Sequence, residues 1–150
     1  MAKFRTRQGV VIPDLKEYVK LWVKNKPNIQ IFIGCDSQQH DRKIDYGVSV
    51  CLYEQGKGGH IIDRRSTEAI KPTNNMRLWA EVEKAVQVAD EIKDLGIPIT
   101  IHCDYNSKIS ERSNELYDSG IGYAISKGYQ AAGKPNAWAA TYAADKIVKS

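Results

Sequence analysis

Two apolar runs of strand length, IQIFIGCD at residues 29–36 and IPITIHCD at 97–104, each end in Cys-Asp, and this repeated ending constrains the chain more than any other feature. Between them MRLWAEVEKAVQVADEIKDL, residues 76–95, carries apolar residues at helical spacing and stops at Gly96. A helix of that length can cross over and lay the second strand parallel to the first. In the first strand Ile29, Ile31, Ile33 and Cys35 share one face, and Phe32, Gly34 and Asp36 the other. Apolar residues on both faces predict a central strand.

The flanking segments extend this unit. Residues 13–25 predict an amphipathic helix with Pro13 at its first position and Leu15, Tyr18, Val19, Trp22 and Val23 on one side; Lys16, Lys20 and Lys24 line another. After a polar loop from Gln38 to Lys43, strands are expected at 45–53 and 60–66, joined by the glycine-rich turn EQGKGGH. A helix over 113–127, a strand over 128–133 and a last helix over 137–148, opened by Pro135 and Asn136, complete the order. A meander followed by βα units implies an α/β fold, a mixed sheet with helices on its faces. At 150 residues, one domain spanning 1–150 is expected.

No apolar run approaches the eighteen or so residues of a membrane span, and the N-terminus has no secretory pattern. Cys35, Cys51 and Cys103 lack CxxC spacing and sit in apolar runs, so buried thiols and a cytoplasmic location are expected. The net charge of +4 is unevenly spread. Residues 1–26 hold seven Lys or Arg against Asp14 and Glu17, and residues 57–77 hold five against Asp63 and Glu68. Residues 78–118 hold nine acids against four bases. Basic flanks around an acidic middle suit a polyanion lying over a metal-dependent centre; solvated helix faces are the plainer account of any one segment.

If the two strands are parallel neighbours, Asp36 and Asp104 stand on one side of the sheet at adjacent carboxyl ends, about 4.8 Å apart between strands. Two carboxylates so close share a proton or a cation, and oxygen-only ligands select a hard ion such as Mg²⁺ or Mn²⁺. The helix at 76–95 adds a third acid. Leu78, Val82, Ala85, Ala89 and Ile92 define its buried stripe; Glu81 falls at the border and Glu83 points away. Glu81 either pairs with Arg77 or Lys84 at the surface or turns toward the two aspartates, and with Asp36 and Asp104 in view the second reading is favoured.

The motifs IGCDSQ (33–38), RLWAEV (77–82), IHCDYN (101–106) and KPNAWAA (134–140), in that order, resemble the ribonuclease H-like nucleases and, more narrowly, the YkuK-like family of ribonuclease H-fold proteins. The resemblance covers nearly the whole chain. It implies a five-stranded sheet in the order 3-2-1-4-5 flanked by helices, with an extra N-terminal helix. It also implies metal-dependent hydrolysis of RNA or DNA phosphodiesters with Asp36, Glu81 and Asp104 as catalytic metal ligands and two cations roughly 4 Å apart. The fourth ligand of that family pattern falls on Asp145, the acid of the last helix. Cysteine before each aspartate departs from the small or β-branched residue expected there.

Ser37, Gln38 and Gln39 after Asp36, and Asn106 after Asp104, are candidates to contact sugar or phosphate, or simply hydrogen-bond their own loops. His102 is expected as a satisfied histidine beneath the site, and Trp138 as core or as a stacking platform for a base. The basic N-terminal helix and the 57–77 segment would hold a nucleic-acid backbone. A non-catalytic nucleic-acid-binding or protein-interaction module on the same fold is the competing reading.

Overall fold

The computed structural model describes residues 3–106 and 111–134, with side chains at 3–103 and 119–133. The elements are β1 (Phe4–Thr6), β2 (Val11–Ile12), α1 (Leu15–Val23), β3 (Ile29–His40), β4 (Lys43–Glu54), β5 (Gly58–Ala69), α2 (Asn74–Ile92), β6 (Ile99–Asn106), α3 (Glu111–Ser126) and β7 (Gln130–Lys134). The expected helix over 137–148, with Trp138 and Asp145, lies outside the described residues.

These strands form one mixed sheet of seven, ordered β2-β1-β5-β4-β3-β6-β7. The segment β5-β4-β3-β6-β7 is the expected 3-2-1-4-5 arrangement, with β6 parallel to β3 and β7 parallel to β6. The expectation of five strands is corrected by β1 and β2, which continue the sheet past β5 through antiparallel pairs such as Arg5↔Asp63 and Phe4↔Ile12. Strands of three and two residues are too short to display an alternation; their partner creates them.

The polar stretch 38–43, expected as a loop, is mostly strand. Pairing continues from Ile29↔Glu54 to His40↔Lys43 around a two-residue turn in which Asp41 adopts φ 54°. Asp41 tolerates this left-handed conformation because a short polar side chain can bond locally. Polar side chains there do not oppose pairing, since this end of the hairpin is exposed.

Helix starts are set by side-chain caps. Asp14, one residue after Pro13, accepts from Glu17 N–H at 3.1 Å, so α1 begins at Leu15 rather than at the proline. Thr73 does the same for α2, accepting from Met76 N–H at 3.1 Å. A 3-10 turn, Lys93–Leu95, ends that helix, and Gly96 takes the left-handed conformation expected of a glycine stop, φ 74°.

Val19 of α1 and Val82, Val86 and Ala89 of α2 pack with Ile31, Ile33, Val50, Leu52, Ile62 and Ile101 of the sheet in one buried cluster. Each large aliphatic side chain removed from water here contributes roughly 1.5–3 kcal/mol. The core thereby clamps α2 across β3, which positions the site. His60, where the glycine-rich turn is expected to meet the strand over 60–66, lies within β5 with its ring stacked 5.6 Å from Trp22, and its Nε2 lies 2.6 Å from the Tyr18 hydroxyl. No helix of the described residues is long and apolar enough to cross a membrane.

Candidate functional site

β3 and β6 run in register from Ile31↔Ile99 to Gly34↔His102. Asp36 and Asp104 therefore each stand two residues beyond the last paired position, on neighbouring parallel strands. The side chain of Asp104 is outside the described set, as is that of Asn106, whose backbone pairs with Lys134 of β7. Asp145 lies beyond the described residues altogether.

Asp36 is only 8% exposed and Glu81 only 3%. One residue links them. The Ser37 N–H donates to Asp36 Oδ1 at 2.9 Å, and the Ser37 hydroxyl donates to Glu81 Oε2. The geometry has a local cause: strand alternation sends Asp36 to one side of the sheet and Ser37 to the other, where α2 lies. Glu81 sits at the edge of the buried stripe of α2, so the packing of Val82 and Ala85 carries its carboxylate onto β3 at Ser37; β3 runs on to His40, which corrects the expectation that Asp36 ends its strand. The Ser37 hydroxyl is thus directed to Glu81, a contact that residue spacing alone does not reveal. Gln38 returns to the Asp36 side, exposed and paired across from Asp45.

A charged and aromatic cluster flanks these carboxylates. Lys84, one turn after Glu81, places Nζ 4.7 Å from the centre of the Tyr46 ring and donates to Glu68, which also accepts from Lys71 at 2.9 Å. The hydrogen bonds from Lys84 and Lys71 hold the Glu68 carboxyl below its ordinary range. Tyr46, opposite Ser37 in the ladder, is fully buried; burial first, then the Glu68 and Glu81 carboxylates, pushes its phenol up. Parity on β5 and the three-residue step from Glu81 to Lys84 are the only sequence signals of this cluster.

The three cysteines are free and buried. Burial, reinforced by Glu81, pushes the Cys35 thiol well above its usual value, so it stays protonated and serves as packing beneath the site. His102 is 3% exposed, with its ring 5.2 Å from that of Phe32. Burial lowers its pKa to about 4, which keeps it neutral at pH 7.

Among the described residues no three His, Cys, Asp or Glu side chains form a metal-holding group; Asp36 and Glu81 are the described members of the expected set. Their donors are all oxygen and nearly dry, a chemistry that fits a hard divalent cation.

No curated protein matches the sequence. Among solved structures, RNase H1 from Halobacterium salinarum NRC-1 is similar over 73% of this chain and 86% of its own, at 15% identity and a TM-score of 0.41. The N-terminal RNase H domain of a Mycobacterium tuberculosis protein, solved as a fusion with maltose-binding protein, is similar over 81% of this chain and 94% of its own, at 14% identity and a TM-score of 0.38. The prototype foamy virus protease-reverse transcriptase is similar over 94% of this chain and 22% of its own, at 10% identity and a TM-score of 0.44. The family model described as "Ribonuclease H-like" matches residues 10–149, and by that match the chain belongs to the ribonuclease H-like family.

Proposed function

We propose that this protein is a metal-dependent nuclease of the YkuK-like branch, hydrolysing phosphodiester bonds of RNA or DNA just beyond Gly34↔His102, the last pair of β3 with β6. The observation that carries the reading is the pair of nearly buried carboxylates, Asp36 and Glu81, delivered by a strand and a helix and joined through Ser37. Asp36, Glu81 and Asp104 would hold the Mg²⁺ or Mn²⁺ beyond the last β3–β6 pair, Gly34↔His102, with Asp36 and Glu81 reaching it from opposite sides of the sheet and Asp145 as the fourth ligand. The bound ion would supply an activated water and charge neutralisation at the phosphate.

The chain's own groups prepare that chemistry. The Ser37 N–H fixes one oxygen of Asp36, and its hydroxyl fixes one oxygen of Glu81, so neither must be ordered when the ion arrives. The Lys84–Glu68–Lys71 cluster holds fixed charge beside Glu81. His102, neutral and enclosed, supports β6 and β3 beneath the site through packing on Phe32. Gln38 and Asn106 are placed in sequence to meet sugar or phosphate next to the two aspartates.

Mn²⁺ titration by calorimetry, with a parallel cleavage assay on labelled RNA, DNA and hybrid, tests the reading in wild type and Asp36→Asn. The expected result is binding and cleavage in the wild type and loss of both in the variant. Equal Mn²⁺ binding by the two proteins would remove Asp36 from the ligand set and overturn the assignment. Nucleic-acid binding without cleavage in either would favour the non-catalytic module.

A further inference from the structure

Two segments with excess positive charge, 1–26 and 57–77, are brought together by the pairing of β1 with β5. Arg5 stands directly across from Asp63, and Arg65, two residues along β5, shares that face. Arg7 follows one residue after the end of β1, and its charge, with those of Arg65 and Arg5, acts on the same carboxylate. All three arginines are exposed, while Asp63 is partly buried among them. Burial nonetheless raises the Asp63 carboxyl above its ordinary value, although the charges of all three arginines act to lower it.

The adjacent Arg64 shows what a structural arginine does here. It faces the other side of the sheet, lies 4.8 Å over the Phe4 ring and pairs with Glu91 at 3.4 Å. Arg5, Asp63 and Arg65 instead face the side on which Asp36 stands. The register Asp36↔Gly47↔Arg65 puts two strand spacings, about 10 Å, between the candidate ligand and that arginine.

We propose that Arg5, Arg7 and Arg65 form a surface for the phosphodiester backbone of a nucleic acid, on the Asp36 side of the sheet. The N-terminal strands complete this surface by carrying Arg5 and Arg7 to Arg65. Guanidinium groups suit it because their planar fork matches two phosphate oxygens at once and never loses its charge. Such contacts hold and orient a strand without reading its sequence. The proposal rests on nucleic acid being the substrate, as argued above, but not on the protein's ability to cut it.

The test is fluorescence anisotropy of a labelled RNA–DNA hybrid in EDTA, where metal-dependent cleavage cannot proceed, across a range of KCl concentrations. Wild type is compared with Arg5→Gln/Arg7→Gln/Arg65→Gln and with Lys16→Gln/Lys20→Gln/Lys24→Gln, which removes the same charge from α1; that helix packs on His60 and α2, across the sheet from Asp36, which corrects the expectation that it holds the backbone. Three lost phosphate contacts should lower the log–log salt slope by about 2–3 in the arginine variant alone. Arg7→Gln, outside the β1–β5 ladder, serves if the triple variant fails to fold, with an expected fall of about 1. Equal slope changes in both triple variants would reduce the effect to net charge and overturn the surface. So would an unchanged slope in the arginine variant, or failure of the wild type to bind. The metal titration and cleavage assay judge the nuclease reading separately in every case.

Discussion

The hydroxyl of Ser37 donates a hydrogen bond to the carboxylate of Glu81, so the first residue past Asp36 on β3 is tied to the centre of α2. Its main-chain N–H meanwhile serves Asp36. A single serine thus orients two of the carboxylates proposed to hold metal, and it does so at a buried position.

Ser37→Ala should therefore weaken Mn²⁺ binding, by roughly 10–100-fold as for other groups that orient metal ligands. The variant leaves a buried acceptor with one donor fewer, and stability should fall by about 1–3 kcal/mol. Calorimetry and urea unfolding read the two effects, and Ser37→Thr should restore part of the metal affinity by keeping the hydroxyl. Unchanged affinity in the alanine variant would exclude an orienting role.

Glu81→Gln separates catalysis from folding. It keeps the shape and an acceptor for Ser37 while removing a buried charge, so the metal-free protein should match or exceed wild type in urea. Stabilisation by added Mn²⁺ and cleavage of nucleic acid should both disappear. A variant that still gains stability with Mn²⁺ would show that Glu81 is not a ligand.

His102 predicts an acid-side loss of stability. Its folded pKa is about 4, against about 6.5 for an unfolded histidine. Between those values the unfolded chain takes up a proton that the native site refuses, so stability rises with pH. The contribution is complete above about pH 6.5 and is lost as pH falls toward 4, at up to about 1.4 kcal/mol per unit. Urea midpoints measured across that window should fall less steeply in His102→Gln; identical profiles would refute the assignment.

Thr73→Ala removes the oxygen that accepts from Met76 N–H at the start of α2. The expected cost is about 1 kcal/mol in urea unfolding, and Thr73→Ser should recover most of it. Because α2 carries Glu81, metal affinity should fall with it if the cap steadies the first turns; a loss of stability with unaltered affinity would confine the cap to folding.

The central βαβ unit was legible because its signals are local. Alternation along Ile29–Asp36, the helical stripe from Val82 to Ile92 and the stop at Gly96 each follow from backbone geometry within one element. That legibility extended to the parallel neighbourhood of β3 and β6, since a crossover helix leaves few other arrangements. It failed at 38–43, where polar residues that suit a loop suit an exposed hairpin end equally well. It failed also at β1 and β2, whose few residues become strands only against β5.

By itself the sequence determined which residues could share a face and where helices could start and stop, because those depend on dihedral periodicity and nearby caps. It placed Asp36 and Glu81 as candidates on that basis, with Glu81 left at the edge of its stripe. Only the tertiary structure decided that Ser37 serves Glu81, that Lys84 and Lys71 share Glu68, and that Arg5 and Arg7 join Arg65 around Asp63. These relationships are set by how α2 crosses β3 and how β1 docks on β5. Apart from Lys71 with Glu68, three residues apart, such contacts join residues distant in the chain, and the apolar core that enforces them leaves no periodic trace in the polar residues themselves.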